Sequence, residues 1–63
     1  MLNKIKEFRT SKGYSQEYLA EKLNVSRQTI ISIEKGKYKP SLNLALKLAK
    51  IFNAQVEEIF FLE

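Results

Sequence analysis

The fold is decided by residues 16–35, which read QEYLAEKLNVSRQTIISIEK. Apolar residues recur in this stretch at helical spacing in two short runs, which predicts two helices of about eight residues each. Asn24 separates the runs and tolerates the left-handed backbone that a tight turn needs. Ala20 offers a small side chain at the point where the helices cross. The angle between them is filled by Leu19, Leu23, Val25, Ile30 and Ile33.

Such a pair of helices has the geometry of a helix-turn-helix motif, and the rest of the chain reads as further short helices. The five predicted helices cover about 2–12, 16–23, 27–35, 42–52 and 55–61. Serines precede three of them as N-caps, and Gly or Asn residues end four of them. Because β-branched residues never alternate, strands are expected at most at the two chain ends. The predicted fold class is all-α.

The inward faces follow from the same periodicity. In the first helix the apolar stripe consists of Leu2, Ile5 and Phe8. In the fourth helix we expect five side chains to face the core, namely Leu42, Ala45, Leu48, Ala49 and Phe52.

Length and composition exclude several classes of protein. The 63 residues suffice for one domain, 1–63, and they include no Cys and no His. Disulfides and His/Cys metal sites are therefore excluded, and we expect no metal, no cofactor, no small-molecule ligand and no enzymatic activity. Glu57 and Glu58 are adjacent rather than facing, and no Gly-rich phosphate cradle is present. No apolar run is long enough for a bilayer, so we expect a cytoplasmic protein without a membrane partner.

The charge is unevenly distributed. The net charge is +4, from 11 Lys and Arg against 7 Asp and Glu. Residues 27–39 contain four basic residues and only one acidic residue, Glu34, whereas residues 51–63 contain acidic residues only. A basic middle beside an acidic tail is typical of a protein with one face for a polyanion and another for a different contact. A merely solvated surface explains the same pattern.

The run SQEYLAEKLNVSRQTIISIEKGKYKPSLNLALKLAKIFN, residues 15–53, resembles the Cro/CI-type family of helix-turn-helix DNA-binding domains, which includes phage repressors and xenobiotic-response-element regulators. The resemblance extends over 2–60, and the length is similar to that of the small stand-alone repressors of cytolysin-operon type. It implies five helices, with the third in the major groove of DNA. It also implies a structural ion pair between Arg9 and Glu34. Asn24 departs from the family, since many members carry Gly there.

The exposed face of the third helix contains the candidate base contacts. Arg can bind a guanine edge with two hydrogen bonds, and Gln can do the same with adenine. The candidates are Arg27, Gln28, Thr29, Ile31 and Ser32. Without the surrounding motif, the first three would read as an ordinary polar helix surface. Ile31 is either a reader of thymine methyl groups or a partly buried core residue.

Candidate phosphate contacts flank that helix. Gln16 begins the second helix, where free backbone N–H groups favour an anion; the resemblance implies that it binds a phosphate and braces Gln28. A basic loop and the start of the fourth helix supply the others. The full set is Gln16, Ser26, Lys35, Lys37, Tyr38, Lys39, Ser41 and Asn43. Solvation alone is the alternative for the loop.

The C-terminal segment, 53–63, contains more apolar residues than one helical face can bury in a core this small. We therefore expect it to form a homodimer interface, as an isologous contact would cover them. The predicted interface consists of Leu2, Ile59, Phe60, Phe61 and Leu62. The alternative is that these residues fold back onto the first helix.

Together these features predict a regulator that binds double-stranded DNA, most simply a repressor that occupies a pseudo-palindromic operator as a homodimer. The other class of function that the motif allows is an antitoxin or protein-interaction module with the same fold. Antitoxins of this kind usually append a disordered tail, and the sequence contains no such segment.

Overall fold

The computed structural model describes residues 1–62, so Glu63, the last residue of the predicted dimerisation segment, lies outside them. Five helices lie between two short strands. In chain order the elements are β1 (Leu2–Asn3), α1 (Ile5–Ser11), α2 (Gln16–Leu23), α3 (Arg27–Glu34), α4 (Leu42–Phe52), α5 (Val56–Ile59) and β2 (Phe60–Phe61). The predicted five-helix fold is confirmed. No helix in this range combines the length and the apolar character needed to cross a membrane.

The helices begin and end at the residues that the sequence singles out. Three serine hydroxyls each accept a hydrogen bond from the backbone N–H three residues later, those of Ser15, Ser26 and Ser41. Four residues with positive φ follow α1 to α4, namely Gly13, Asn24, Gly36 and Asn53. The helix ends are thus closed by local chemistry, in which the cap satisfies amides and the left-handed residue satisfies carbonyls.

The hydrophobic core lies between α2, α3 and α4, with α1 and α5 closing it. Its fully buried members include Leu19 from α2, Ile30 and Ile33 from α3, and Leu48 from α4. Ala20 is buried on α2, the helix that packs against α3. Since Ile30 and Ile33 face inward, the opposite side of α3 must face outward.

One predicted core residue of α4 is wrong. Leu42 is 72% exposed, whereas Leu44, which was not predicted to face inward, is 8% exposed. Leucines stand at positions 42, 44, 46 and 48, so two overlapping helical stripes fit the sequence equally well. Packing of α4 against α2 and α5 selects the stripe that contains Leu44.

The chain ends also differ from expectation. Residues 2–4 do not begin the first helix, because Leu2 and Asn3 pair in antiparallel fashion with Phe61 and Phe60 of the same chain. The predicted dimer contact Ile59 has 0% exposed surface, and Phe60 has 9%. Both side chains belong to the chain's own core, so assigning them to an intermolecular surface was wrong. The alternative that this segment folds back onto the chain holds for these two residues.

We expect Leu48→Ala to lower the free energy of unfolding by about 2–5 kcal/mol, because it removes fully buried methyl groups and leaves a cavity. Leu46→Ala is the matched control on the same helix, where the side chain is exposed; its effect should stay within about 0.5 kcal/mol. Urea unfolding followed by circular dichroism measures both. Similar losses in the two variants would contradict the assignment of the buried face of α4.

Candidate nucleic-acid interface

The outward face of α3 presents a row of side chains at helical spacing. Arg27 and Gln28 are exposed at its first turn, and Ile31 and Ser32 lie half-buried one turn later. Ile31 does not pack against the core cluster, which places it on the surface side of the two alternatives. The structure therefore brings four of the five predicted base contacts onto one open face.

Thr29, the fifth predicted base contact, is half-buried at the helix N-terminus. Its backbone N–H donates to the Ser26 hydroxyl oxygen at 3.2 Å, and the two hydroxyl oxygens lie 2.9 Å apart. One hydroxyl therefore donates to the other, and both serve the helix cap. The methyl group of Thr29 and any remaining hydroxyl capacity are what it can offer to DNA.

The segment after α3, residues 35–39, forms an exposed loop that we call the basic loop. It leaves the helix through a Schellman motif, in which the Lys37 N–H donates to the Ser32 carbonyl and the Gly36 N–H donates to the Ile33 carbonyl. The Tyr38 N–H also donates to the Ser32 carbonyl, at 3.3 Å. Three backbone hydrogen bonds thus hold this loop against the end of α3.

A small depression of about 150 Å³ lies between α3 and the basic loop. Its lining combines hydroxyl, amide and phenol groups, from Ser26, Gln28, Thr29, Ser32 and Tyr38. Tyr38 thus stands beside predicted base contacts as well as beside the lysines. Such a site suits the edge of a base or a backbone oxygen better than it suits an apolar ligand.

Glu34, the last residue of α3, is the acceptor of a side-chain network that joins three helices. Arg9 of α1 donates to its carboxylate from Nε at 2.7 Å and from Nη2 at 3.3 Å, while Nη1 donates to the Tyr14 carbonyl at 2.9 Å. The side chains of the pair are only 11% and 7% exposed. The ion pair that the resemblance implies is therefore present as a geometric fact.

Gln16 takes part in the same network. Its side-chain Nε2 donates to Glu34 Oε1 at 3.2 Å, and no hydrogen bond within residues 1–62 joins it to Gln28. Its orientation is thus fixed by the carboxylate. Gln16 also borders a broad surface depression of about 720 Å³ between the N-termini of α2 and α3, which Arg27 lines from the other side.

The electrostatics of this face follow from the network. Between residues 27 and 39 the one acidic side chain is Glu34, and Arg9 neutralises it in a nearly buried position. The exposed charged groups of this segment are all cationic, namely Arg27, Lys35, Lys37 and Lys39. The remaining predicted phosphate contacts, Ser41 and Asn43, are exposed at the start of α4. A polyanion is the natural counterpart of such a surface.

One side chain at the end of α3 was missed by sequence reasoning. The Asn3 side chain donates to the Ile33 carbonyl at 2.8 Å, 30 residues further along the chain. An Asn in front of a helix signals a local cap, and nothing in the local pattern indicates so distant a partner.

Comparison with known proteins shows matches over nearly the whole chain. A family model described as helix-turn-helix matches residues 5–59. A helix-turn-helix-type transcriptional regulator of Methanocaldococcus jannaschii is 59% identical over 63 residues, which cover 100% of this chain and 96% of that protein. The regulator YgzD of Bacillus subtilis is 56% identical with the same coverage.

Solved structures give the same result. The restriction-modification controller protein C.AhdI from Aeromonas hydrophila superposes with a TM-score of 0.81 at 37% identity, covering 90% of this chain and 86% of that one. SinR, described as the master regulator for biofilm formation and solved in complex with DNA, superposes with a TM-score of 0.76 at 34% identity, covering 86% and 87%.

We expect Glu34→Gln to destabilise the fold by about 3–5 kcal/mol, because the nearly buried Arg9 guanidinium would lose its counter-charge. Glu21→Gln, on the exposed surface of α2, is the control and should change stability by no more than about 0.5 kcal/mol. Urea unfolding at one protein concentration compares them. If Glu34→Gln behaved like the control, the network would have no structural role.

Proposed function

The chain belongs to the helix-turn-helix family of transcriptional regulators, and we propose that it is a sequence-specific repressor that binds a pseudo-palindromic DNA operator as a homodimer. The observation that carries this proposal is the outward face of α3, where Arg27 and Gln28 are exposed beside a loop whose charges are all cationic. The family is one of regulators, not of enzymes. We expect the protein to act in the cytoplasm, where the DNA is.

In this proposal α3 lies in the major groove and reads bases with its first turn. Arg27 binds guanine O6 and N7, and Gln28 binds adenine N6 and N7, contacts that each discriminate by about 1–3 kcal/mol. Both side chains are free to do so, because neither donates a hydrogen bond to another described residue. Thr29, Ile31 and Ser32 complete the reading face, with Ile31 suited to a thymine methyl group.

Phosphate contacts on both sides of α3 would fix its register on the duplex. The basic loop supplies Lys35, Lys37, Tyr38 and Lys39 on one side. The capped N-termini of α2 and α4 present backbone N–H groups beside Gln16 and Asn43, a combination that favours anions. Ser26 and Ser41 add hydroxyl groups. The DNA complex of SinR, a protein of the same fold, supports this mode of docking.

The same surface argues for DNA over the alternative of a protein partner. The exposed charges are of one sign, the lining groups are polar, and the aromatic content is limited to Tyr38. Protein interfaces are depleted in lysine at their centres. A repressor without contacts to the transcription machinery needs only to occupy its site, and the described residues suffice for that.

The homodimer requires a surface other than the one first expected. Since Ile59 and Phe60 are buried, we propose that the interface forms around the exposed Leu42, which borders an apolar groove of about 240 Å³. The groove is lined by Met1, Lys39, Pro40, Leu42, Ala45, Val56 and Phe60. The exposed Leu2 and Leu62 and the half-buried Phe61 extend the apolar character of this end. Two α3 helices about 34 Å apart would then read successive turns of the duplex.

The test of sequence recognition begins with selection of bound duplexes from a random pool, which we expect to give a two-fold symmetric site. On that site, Arg27→Ala should lower affinity by about 1–3 kcal/mol and relax the preference at one base pair. Lys37→Ala should weaken selected and unselected duplexes equally and reduce the salt dependence by about one phosphate. Fluorescence anisotropy at several salt concentrations measures both. Unchanged discrimination in Arg27→Ala would move base reading elsewhere.

The test of the homodimer is Leu42→Glu, which places a charge in the proposed interface and should shift the dimer to monomer. Leu46→Glu is the matched control, because it adds the same charge on the same helix outside the groove lining. Sedimentation equilibrium at micromolar concentration measures the association. A monomeric wild-type protein would refute the dimer, and dissociation by both variants would refute the interface.

A further inference from the structure

We infer that Asn3 is a positioning residue for the basic loop: it holds the end of α3, and with it the phosphate-contacting lysines, from the side of the molecule opposite to DNA. The inference rests on the proposed function, since it concerns the loop that would contact phosphates. Asn3 itself would not touch the duplex.

The Asn3 side chain makes three hydrogen bonds. Nδ2 donates to the Ile33 carbonyl at 2.8 Å and to the Met1 carbonyl at 3.1 Å, while Oδ1 accepts from the Ile5 N–H at 3.2 Å. The acceptor atom therefore caps the start of α1, whereas the donor atom serves the end of α3. The two roles belong to different atoms and can be separated by substitution.

The carbonyl that Asn3 contacts is the one at which the basic loop begins. The Ile33 carbonyl also accepts from the Gly36 N–H at 2.9 Å, within the motif that turns the chain out of α3. Gly36 is held a second time, because the Met1 amino nitrogen donates to its carbonyl at 3.0 Å. A Cβ at Gly36 would lie 3.3 Å from the Met1 carbonyl oxygen, so the N-terminal segment packs directly on the loop backbone.

The other side of the N-terminal segment is anchored in the terminal sheet. Asn3 pairs with Phe60, and the Lys4 N–H donates to the Ile59 carbonyl at 2.8 Å. The segment is thus fixed to the core on one side and holds Gly36 and Ile33 on the other. The position of the basic loop depends on this connection, since its own side chains are exposed and make no hydrogen bonds to the described residues.

The competing explanation is that Asn3 is only a helix cap for α1. Asn3→Ser separates the two, because a hydroxyl can still accept from the Ile5 N–H but is too short to reach the Ile33 carbonyl. Gln55→Ala is the matched control: it removes the cap of α5 and costs comparable stability, about 1 kcal/mol, without contact to the loop.

The first readout needs no DNA. In the folded protein, we expect Asn3→Ser to speed hydrogen exchange of the Lys37 and Tyr38 amides, whose acceptor is the Ser32 carbonyl, by about tenfold more than that of amides in α2 or α4. Gln55→Ala should leave this ratio unchanged. Wild-type exchange at both loop amides in Asn3→Ser would overturn the inference and leave Asn3 as a cap.

The second readout is binding to a 20-base-pair duplex of mixed sequence over a range of salt concentrations. We expect Asn3→Ser to bind about tenfold more weakly at low salt, with a slope reduced by one to two phosphates at about 0.9 each. The ratio of affinities for the selected and mixed duplexes should stay within about twofold, because Arg27 and Gln28 lie at the other end of α3. Equal affinity and slope in Asn3→Ser and wild type would overturn the inference alone. Absence of wild-type binding would refute the proposed function, and the exchange experiment would still decide the role of Asn3 in the loop.

Discussion

The arrangement of the three N-terminal helices depends on one nearly buried carboxylate. Glu34 receives donors from Arg9 of α1 and Gln16 of α2, and Arg9 is held in turn by the Tyr14 carbonyl. A buried ion pair adds little net stability over apolar packing, but removal of one partner leaves an uncompensated charge. Arrangements in which the two charges fail to meet are therefore penalised. We infer that this network selects the orientation of α3 that turns Arg27 and Gln28 to solvent.

The same pairing has an electrostatic consequence for the DNA-facing surface. Glu34 is the one acidic residue between positions 27 and 39, and an exposed carboxylate at the end of α3 would repel phosphates from the adjacent lysines. Turning it inward against Arg9 removes it from the surface and leaves cationic groups only. A structural requirement and a binding requirement are thus met by one side-chain orientation, and no buried polar side-chain atom in residues 1–62 is left without a partner.

The parts of the fold that were predictable from the sequence are those determined by neighbouring residues. Capping serines and the left-handed residues Asn24 and Gly36 mark helix ends because cap and helix are adjacent in the chain. The errors are non-local. Leu2 and Asn3 continue an apolar helical pattern but pair with residues 60 and 61, and the choice between Leu42 and Leu44 depends on how α4 packs. Ile59 and Phe60 appeared surplus because the space that β1 leaves for them is invisible in the sequence.

The reading face was predictable for a related reason, and this explains how the fold and the specificity can be independent. On α3 the buried positions Ile30 and Ile33 lie opposite Arg27 and Gln28, so helical periodicity alone separates packing from recognition. The two exposed side chains make no hydrogen bond to the rest of the described chain and contribute little to its folding. Other side chains at these positions would change the bases that are read while the core and the Glu34 network stayed intact. Ser26 and Thr29, whose hydroxyls cap the helix, do not have this freedom, so the operator that such a domain reads is set mainly by the side chains that its own structure does not use.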